Sequence, residues 1–219
     1  MTSSSDSPSY PPPPWDTHAE GAGSVYLVSA KTVRLPTGFR PVAALGKTSG
    51  MLAYLRYLAP SPLEYQELIW IPAMVRAGGQ RGWFVDKIYV DNEASLAAGR
   101  TEWALPKTLA QFDREGDRVT VTAEDGTFAR LRLRRFGPAQ RMRSRLATLQ
   151  AEGAEVVRFT CSFSGQVQLG GLTVESFSPG GDGWPSFVSA RSTHAGGTLA
   201  KGRARMHAAQ RLGGRLDGE

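Results

Sequence analysis

Lys107 has the most unusual surroundings of any reactive residue in this sequence. It directly follows Pro106 at the end of the run Gly99-Arg100-Thr101-Glu102-Trp103-Ala104-Leu105-Pro106-Lys107, and Leu109, Ala110 and Phe112 come after it. Two readings stand on that context. The lysine is an ordinary solvated surface charge, or its amine is held in a dry pocket. Desolvation disfavours the charged form of an amine, and an amine freed of its proton is a nucleophile near neutral pH. Other chemistries find no support. His18, His194 and His207 are far apart and match no zinc-ligand spacing. Nothing resembles a P-loop, a dinucleotide fingerprint or a nucleophile elbow. Thr48-Ser49-Gly50 and Ser178-Pro179-Gly180-Gly181 are glycine-bearing loops with no further phosphate-binding signal.

The bounds are those of a globular protein. A chain of 219 residues, 41% of them hydrophobic, is long enough to bury a sizeable core in one domain. No run approaches the length of a membrane span, so no membrane association is expected. The start, Met1-Thr2-Ser3-Ser4-Ser5-Asp6, lacks the basic and apolar regions of a secretory signal. Cys161 is the single cysteine. That excludes an intrachain disulfide, and a reducing cytoplasm is the expected location. The net charge of +6 raises nucleic acid as a partner. The arginines gather at 130–145 and in the last twenty residues with no stacking-aromatic pattern. A charged solvent face or an anionic small molecule is the expected reading, and nucleic acid is not.

Lys107 must be positioned by strands. Residues 1–23, rich in Ser, Pro and Gly, read as a flexible arm whose Pro11-Pro12-Pro13-Pro14-Trp15 segment is polyproline II, with Trp15 packing on the domain or on a neighbouring subunit. Apolar, β-branched runs follow at Ser24–Ala30, Pro41–Leu45, Met51–Leu58, Gln66–Val75 and Gly82–Asp91. In the fourth, Glu67, Ile69 and Ile71 share one side and Leu68 and Trp70 the other. Glu93–Ala98 reads as a short helix capped by Asn92 or Asp91, with Gly99 as its stop. Glu124-Asp125-Gly126 marks a hairpin between Arg118–Thr122 and Thr127–Arg134. In its second arm alternating arginines form a wet face.

Gln140–Ala151 reads as a helix, from Met142, Leu146 and Leu149. Strands are expected at Glu155–Gly165, which makes Cys161 a core residue, and at Gln166–Phe177, Trp184–Ala190 and Thr198–Met206. The domain is expected over residues 24–209, with a frayed tail at 210–219. At least eight strands with little helix indicate an all-β or β-rich α+β fold. A closed barrel would leave the fewest exposed edges.

The run ending at Lys107 resembles the signature of the acetoacetate decarboxylase family, roughly Gly-Arg-Glu-aromatic/Trp-Gly-Phe/Leu-Pro-Lys. Upstream, Tyr65-Gln66-Glu67 resembles that family's Tyr-x-Glu strand, and Ile88-Tyr89-Val90-Asp91 the strand leading into the signature. The order and spacing of the three agree over roughly residues 25–135. The resemblance implies a cone-shaped antiparallel β-barrel with a few peripheral helices, and a homo-oligomer. It also implies a cofactor-independent reaction in which Lys107 forms a Schiff base with a β-keto acid. The iminium takes up the electrons left as carbon dioxide departs.

By the same resemblance Glu67 would handle protons or orient substrate, Arg100 would hold the signature loop, and Tyr65 and Trp103 would support the pocket. Arg56 is a candidate for the substrate carboxylate, against the simpler reading of a surface arginine. The chain departs from the family pattern at Thr108, where a second lysine is common, and at Ala104, where glycine is usual. Burial alone would then have to activate Lys107. Three functions follow in order: a Schiff-base decarboxylase of a β-keto acid; a Schiff-base aldolase, dehydratase or cyclase acting on a larger keto substrate, as in secondary metabolism; and a barrel that binds a hydrophobic ligand without a covalent step.

Overall fold

The protein is described from a computed structural model, which covers residues 9–185, 187 and 192–213, with backbone only at 192–195. Thirteen strands and one helix follow in chain order: β1 (Trp15–Ser29), β2 (Arg40–Pro41), β3 (Lys47–Leu58), β4 (Tyr65–Ile71), β5 (Ala73–Ala77), β6 (Gln80–Phe84), β7 (Lys87–Val90), α1 (Glu93–Trp103), β8 (Lys107–Glu115), β9 (Arg118–Ala123), β10 (Phe128–Glu152), β11 (Glu155–Ser178), β12 (Ser192–Met206) and β13 (Gln210–Leu212). All belong to one sheet, which the β10–β11 pairing closes into a ring through β12, β1, β3, β4, β7, β8 and β9. The β-rich barrel expected from the sequence is present. Its pairings are antiparallel except β7–β8 and a single β10–β6 contact. The β7–β8 exception follows from α1, because a parallel neighbour needs a crossover and the helix supplies it.

Several boundaries differ from the sequence reading. Gln66–Val75 is two strands, divided at Pro72, which cannot donate to a sheet ladder. Gly82–Asp91 is likewise two, β6 and β7, with Val85 and Asp86 between them. Pro41–Leu45 is reduced to β2 and an isolated bridge at Ala44. Residues 15–23, expected in a flexible arm, are the first half of β1. They pair with β3 on one side and β12 on the other. Gln210–Leu212, expected to fray, pairs with Val156–Arg158. Of Trp184–Ala190, residues 184, 185 and 187 are not strand, and the others lie outside the described residues.

The largest difference is Gln140–Ala151, which is strand and not helix. Its backbone pairs residue by residue with Val156–Val167 of β11, from Gln140↔Val167 to Ala151↔Val156. The helical spacing of Met142, Leu146 and Leu149 does not define a buried face, since Leu149 is fully buried while Met142 and Leu146 are exposed. Arg141, Arg143 and Arg145 alternate with Met142, Ser144 and Leu146, which is an equally good period of two. The hairpin turn decides between them. Glu152 pairs with Glu155 across Gly153-Ala154, and Gly153 has φ 59. A two-residue loop with a glycine at positive φ joins two strands with matching twist.

The sheet separates two apolar cores. Leu68 and Trp70 of β4 join Tyr26, Tyr54, Tyr89, Val121 and Leu131 on one side. Tyr65 and Ile71 join Tyr57, Ile88, Val90, Trp103, Leu105, Phe159 and Met206 on the other. The alternation read along 66–71 is therefore the division between the cores. Trp15 lies in the second core at 1% exposure. Its Nε1 donates to Pro11 O at 2.7 Å, and its ring meets Trp103 edge-on at 4.9 Å. Truncating so large a buried aromatic costs about 3–5 kcal/mol. Trp15→Ala is expected to lower unfolding free energy by that amount in urea titration. A change under about 0.5 kcal/mol would return residues 15–23 to the status of an arm.

Candidate active site

Helix α1 and strand β8 together place the lysine. Asn92 caps α1, its side chain accepting from Ser95 N at 2.8 Å. That bond satisfies one of the free amides of the first turn. The buried face of the helix is Ser95, Ala98, Gly99 and Trp103, which follow one another at three- and four-residue spacing. The helix runs through Gly99, expected as its stop, to Trp103. The chain then reverses at Ala104 (φ 52, ψ 31), and Leu105 N donates back to Gly99 O at 3.0 Å. Pro106 follows, and Lys107 begins β8 beside Ile88. Arg100 Nε donates to Lys107 O at 2.9 Å. Arg100 thus clamps the backbone from which the lysine side chain departs.

That side chain crosses the helix where Gly99 leaves room. A methyl group on Gly99 would overlap Lys107 Cδ and lie 2.6 Å from Cε. Glycine is therefore required here for close approach and not for a turn.

The amine is buried. Lys107 is 2% exposed, which excludes the surface-charge reading. Its Nζ lies 3.0 Å from Glu67 Oε2 and donates to Ser95 Oγ at 2.9 Å. The Tyr65 ring stands 4.9 Å away, within cation–π range. The second carboxylate oxygen, Oε1, accepts from Tyr57 Oη at 3.1 Å. The Tyr57 and Tyr65 rings stack at 4.4 Å. Burial first, and then the Glu67 charge, push both phenols well above the ordinary tyrosine range. They remain neutral hydrogen-bond donors at any physiological pH. The Cys161 thiol is raised to about 11, by burial and then by Glu67, so it stays protonated and is a wall and not a nucleophile. Trp103 Nε1 donates to His207 O at 2.9 Å, tying the end of α1 to the stretch after β12.

The residues singled out from sequence divide into two groups. Lys107, Glu67 and Tyr65 meet around one amine, and Arg100 and Trp103 hold the elements that carry it. Arg56 does not reach it. It pairs with Gln66, one residue out of phase with Glu67, so it projects from the opposite face of the sheet. There it lies 3.7 Å from Glu20, about half exposed. Thr108 also faces away from the amine. It is opposite Tyr89, in the other core, while Lys107 is opposite Ile88. Charge at position 108 would point away from the amine, whatever the residue. Ser95 and Tyr57 were not singled out. Ser95 could have been found from Asn92, because a cap fixes the phase of the helix that follows. Tyr57 carries no local signal beyond its place in an aromatic strand.

Two glycine-related positions give opposite expectations. Helix propensity favours Gly99→Ala by about 1 kcal/mol. The crossing lysine predicts instead a loss of about 1–3 kcal/mol from overpacking. Ala104 adopts a left-handed conformation that costs a residue with a side chain about 1–2 kcal/mol, so Ala104→Gly is expected to stabilise by about 1 kcal/mol. Urea unfolding of both variants checks the pair. A stabilised Gly99→Ala would show that the lysine does not depend on that gap.

The acetoacetate decarboxylase (ADC) family pattern matches residues 1–150. No curated protein matches the sequence. Among solved structures, the fold is similar to an acetoacetate decarboxylase-like enzyme from Sphingomonas wittichii RW1. The TM-score is 0.69 at 19% identity, covering 97% of each chain. It is also similar to the enduracididine biosynthesis enzyme MppR complexed with pyruvate, with TM-score 0.59 and 15% identity over 96% of this chain and 95% of that one. Acetoacetate decarboxylase from Legionella pneumophila subsp. pneumophila str. Philadelphia 1 gives TM-score 0.58 and 14% identity over 95% and 92%. With a family match spanning well over half its length, on a closed β ring that buries Lys107 beside Glu67, this chain belongs to the acetoacetate decarboxylase family.

Proposed function

We propose that the protein is a Schiff-base lyase that decarboxylates a β-keto acid. The observation that carries this reading is the buried Lys107 amine, 3.0 Å from Glu67 and 2.9 Å from Ser95. For attack, the ammonium must lose a proton, and Glu67 is the adjacent carboxylate that can take it. The neutral amine adds to the ketone carbonyl, and loss of water leaves an iminium on Nζ. The bond to the carboxylate carbon then breaks, carbon dioxide leaves, and its electron pair is taken up as an enamine. Glu67, having returned its first proton to the departing hydroxyl, takes up one from solvent and delivers it to carbon, which regenerates the iminium. Water hydrolyses it, releasing ketone and free lysine. The steps use groups on this chain, the substrate, water and one proton from solvent.

A second reading has its own support. Tyr57 is a neutral phenol bonded to Glu67, and loss of carbon dioxide does not require a second acid. Aldol addition or dehydration does, because a hydroxyl oxygen must gain or lose a proton beside the enamine. The fold is shared with MppR, whose solved complexes include pyruvate and the condensation product of pyruvate and imidazole 4-carboxaldehyde.

Borohydride reduction in the presence of acetoacetate or pyruvate tests the covalent step. Intact-mass measurement is expected to show one adduct on the wild type and none on Lys107→Ala. The same mass gain on Lys107→Ala would overturn the assignment of the nucleophile. Absence of any adduct with either acid would favour a barrel that binds its ligand without covalent chemistry. Carbon dioxide release from acetoacetate supports decarboxylation. Adduct formation without release, together with a new product when an aldehyde is added, supports the aldol reading.

A further inference from the structure

The arginine cluster is arranged by register, and the arrangement is specific. In antiparallel sheets, residues directly opposite one another project from the same face. Arg143 is opposite Ser164, Ser164 opposite Arg203, and Arg203 opposite His18. One step along, Arg141 is opposite Gln166, and Gln166 opposite Lys201. Two columns of cations, Arg141 and Arg143 on β10 and Lys201 and Arg203 on β12, therefore flank a central column of Ser164 and Gln166 on β11. Strands lie about 4.8 Å apart and alternate residues about 6.6 Å apart. The four cations thus stand at the corners of a rectangle of about 10 by 7 Å. All four are exposed. They line a groove of ≈ 600 Å³ together with His18, Ser164 and Gln166, within the range of small-ligand sites.

The groove's positive charge is not neutralised from within. The acids of β1 on this side are already engaged, Asp16 by Arg205 at 3.2 Å and Glu20 by Arg114 and Arg56. Among the described residues none of the four cations has an ion-pair partner. Four like charges within about 10 Å repel one another, so the array is set for an anion to complete it. The rectangle is also bounded. Beyond one end Arg145 continues the β10 column opposite Ser162, but its β12 counterpart, Arg205, is engaged by Asp16. Beyond the other end a register shift between Gln166 and Val167 breaks the columns. An extended polyanion would run off it, whereas two adjoining phosphoryl groups fit between its sides, with the Ser164 and Gln166 side chains as hydrogen-bond donors beneath. We propose that this groove binds a small organic diphosphate. The site lies on the face of these strands opposite the one that helps to enclose Lys107, and it does not depend on the chemistry proposed for that lysine.

Titration calorimetry of the full chain at low salt, with ADP as the probe, tests the proposal. One ADP per chain is expected, bound at least about tenfold tighter than orthophosphate and weakened at least tenfold in Arg143→Ala/Arg203→Ala. An Arg81→Ala/Arg76→Ala control on β6 and β5 removes the same charge and is expected to bind as the wild type. Because the groove residues are exposed, circular dichroism is expected to be unchanged in the double variant. Inorganic pyrophosphate, a single-stranded oligonucleotide and anionic lipid vesicles are the comparison arms. Pyrophosphate binding that is equally lost in the double variant supports the site. The proposal is overturned if ADP binds no tighter than orthophosphate, if binding survives in the double variant, or if only the oligonucleotide or the vesicles are held.

Discussion

The buried ion pair between Lys107 and Glu67 is the constraint on which the rest of this structure depends. Removing two charges from water costs several kcal/mol per ion, and their mutual attraction offsets this only when geometry is good and the remaining hydrogen-bonding capacity is filled. Each neighbouring feature serves that condition. Ser95 takes one ammonium proton and Tyr57 fills the second carboxylate oxygen. Gly99 gives the lysine stem its passage, and Arg100 fixes the backbone from which it leaves. The cap at Asn92 sets the phase that brings Ser95 inward. Fold and site are therefore one problem, because the helix that makes the parallel β7–β8 pairing possible also supplies a ligand to the amine.

Strand alternation explains why the residue after the lysine matters less than its adjacency suggests. Neighbours along a strand face opposite sides of the sheet, and here those sides are two separate cores. The amine takes its electrostatic character from residues that are distant in sequence and share its face: Glu67 on β4, Ser95 on α1, and the stacked phenols of Tyr57 and Tyr65. The same rule removes Arg56 from the site and gathers Arg143 and Arg203 into a single array on one face.

Much of this was legible in the residues. The β-rich character followed from short apolar runs punctuated by turn residues. The pairing of Lys107 with Glu67 followed from motifs whose order and spacing resemble a known family. What could not be read locally has identifiable physical causes. Gln140–Ala151 satisfies helical and strand periodicities equally well, and only pairing with a partner beyond Gly153 selects the strand. Residues 15–23 look like an arm because their glycines and small polar side chains carry little β propensity. They are strand because β3 and β12 lie on either side to accept their hydrogen bonds. Ala104 resembled a minor change from glycine, yet its cost is a backbone angle invisible in the residue type. Cys161, read as a core residue from alternation, is half-buried against the core around the lysine, while Val156, Val157, Phe159 and Thr160 are buried on both faces of the strand.

Trp15 and Met206 face each other across β1 and β12, and both belong to the core around the lysine. The enclosure of the amine is thus assembled from β1 and β12, two strands far apart along the chain. During synthesis, Glu67, Ser95 and Lys107 all leave the ribosome well before Met206 does. Until the last long strand arrives, the amine has its acid but no enclosure, and water reaches both. Burial of the amine therefore depends on β12 being in place, and a chain in which that strand has not yet formed carries Lys107 and Glu67 without their enclosure.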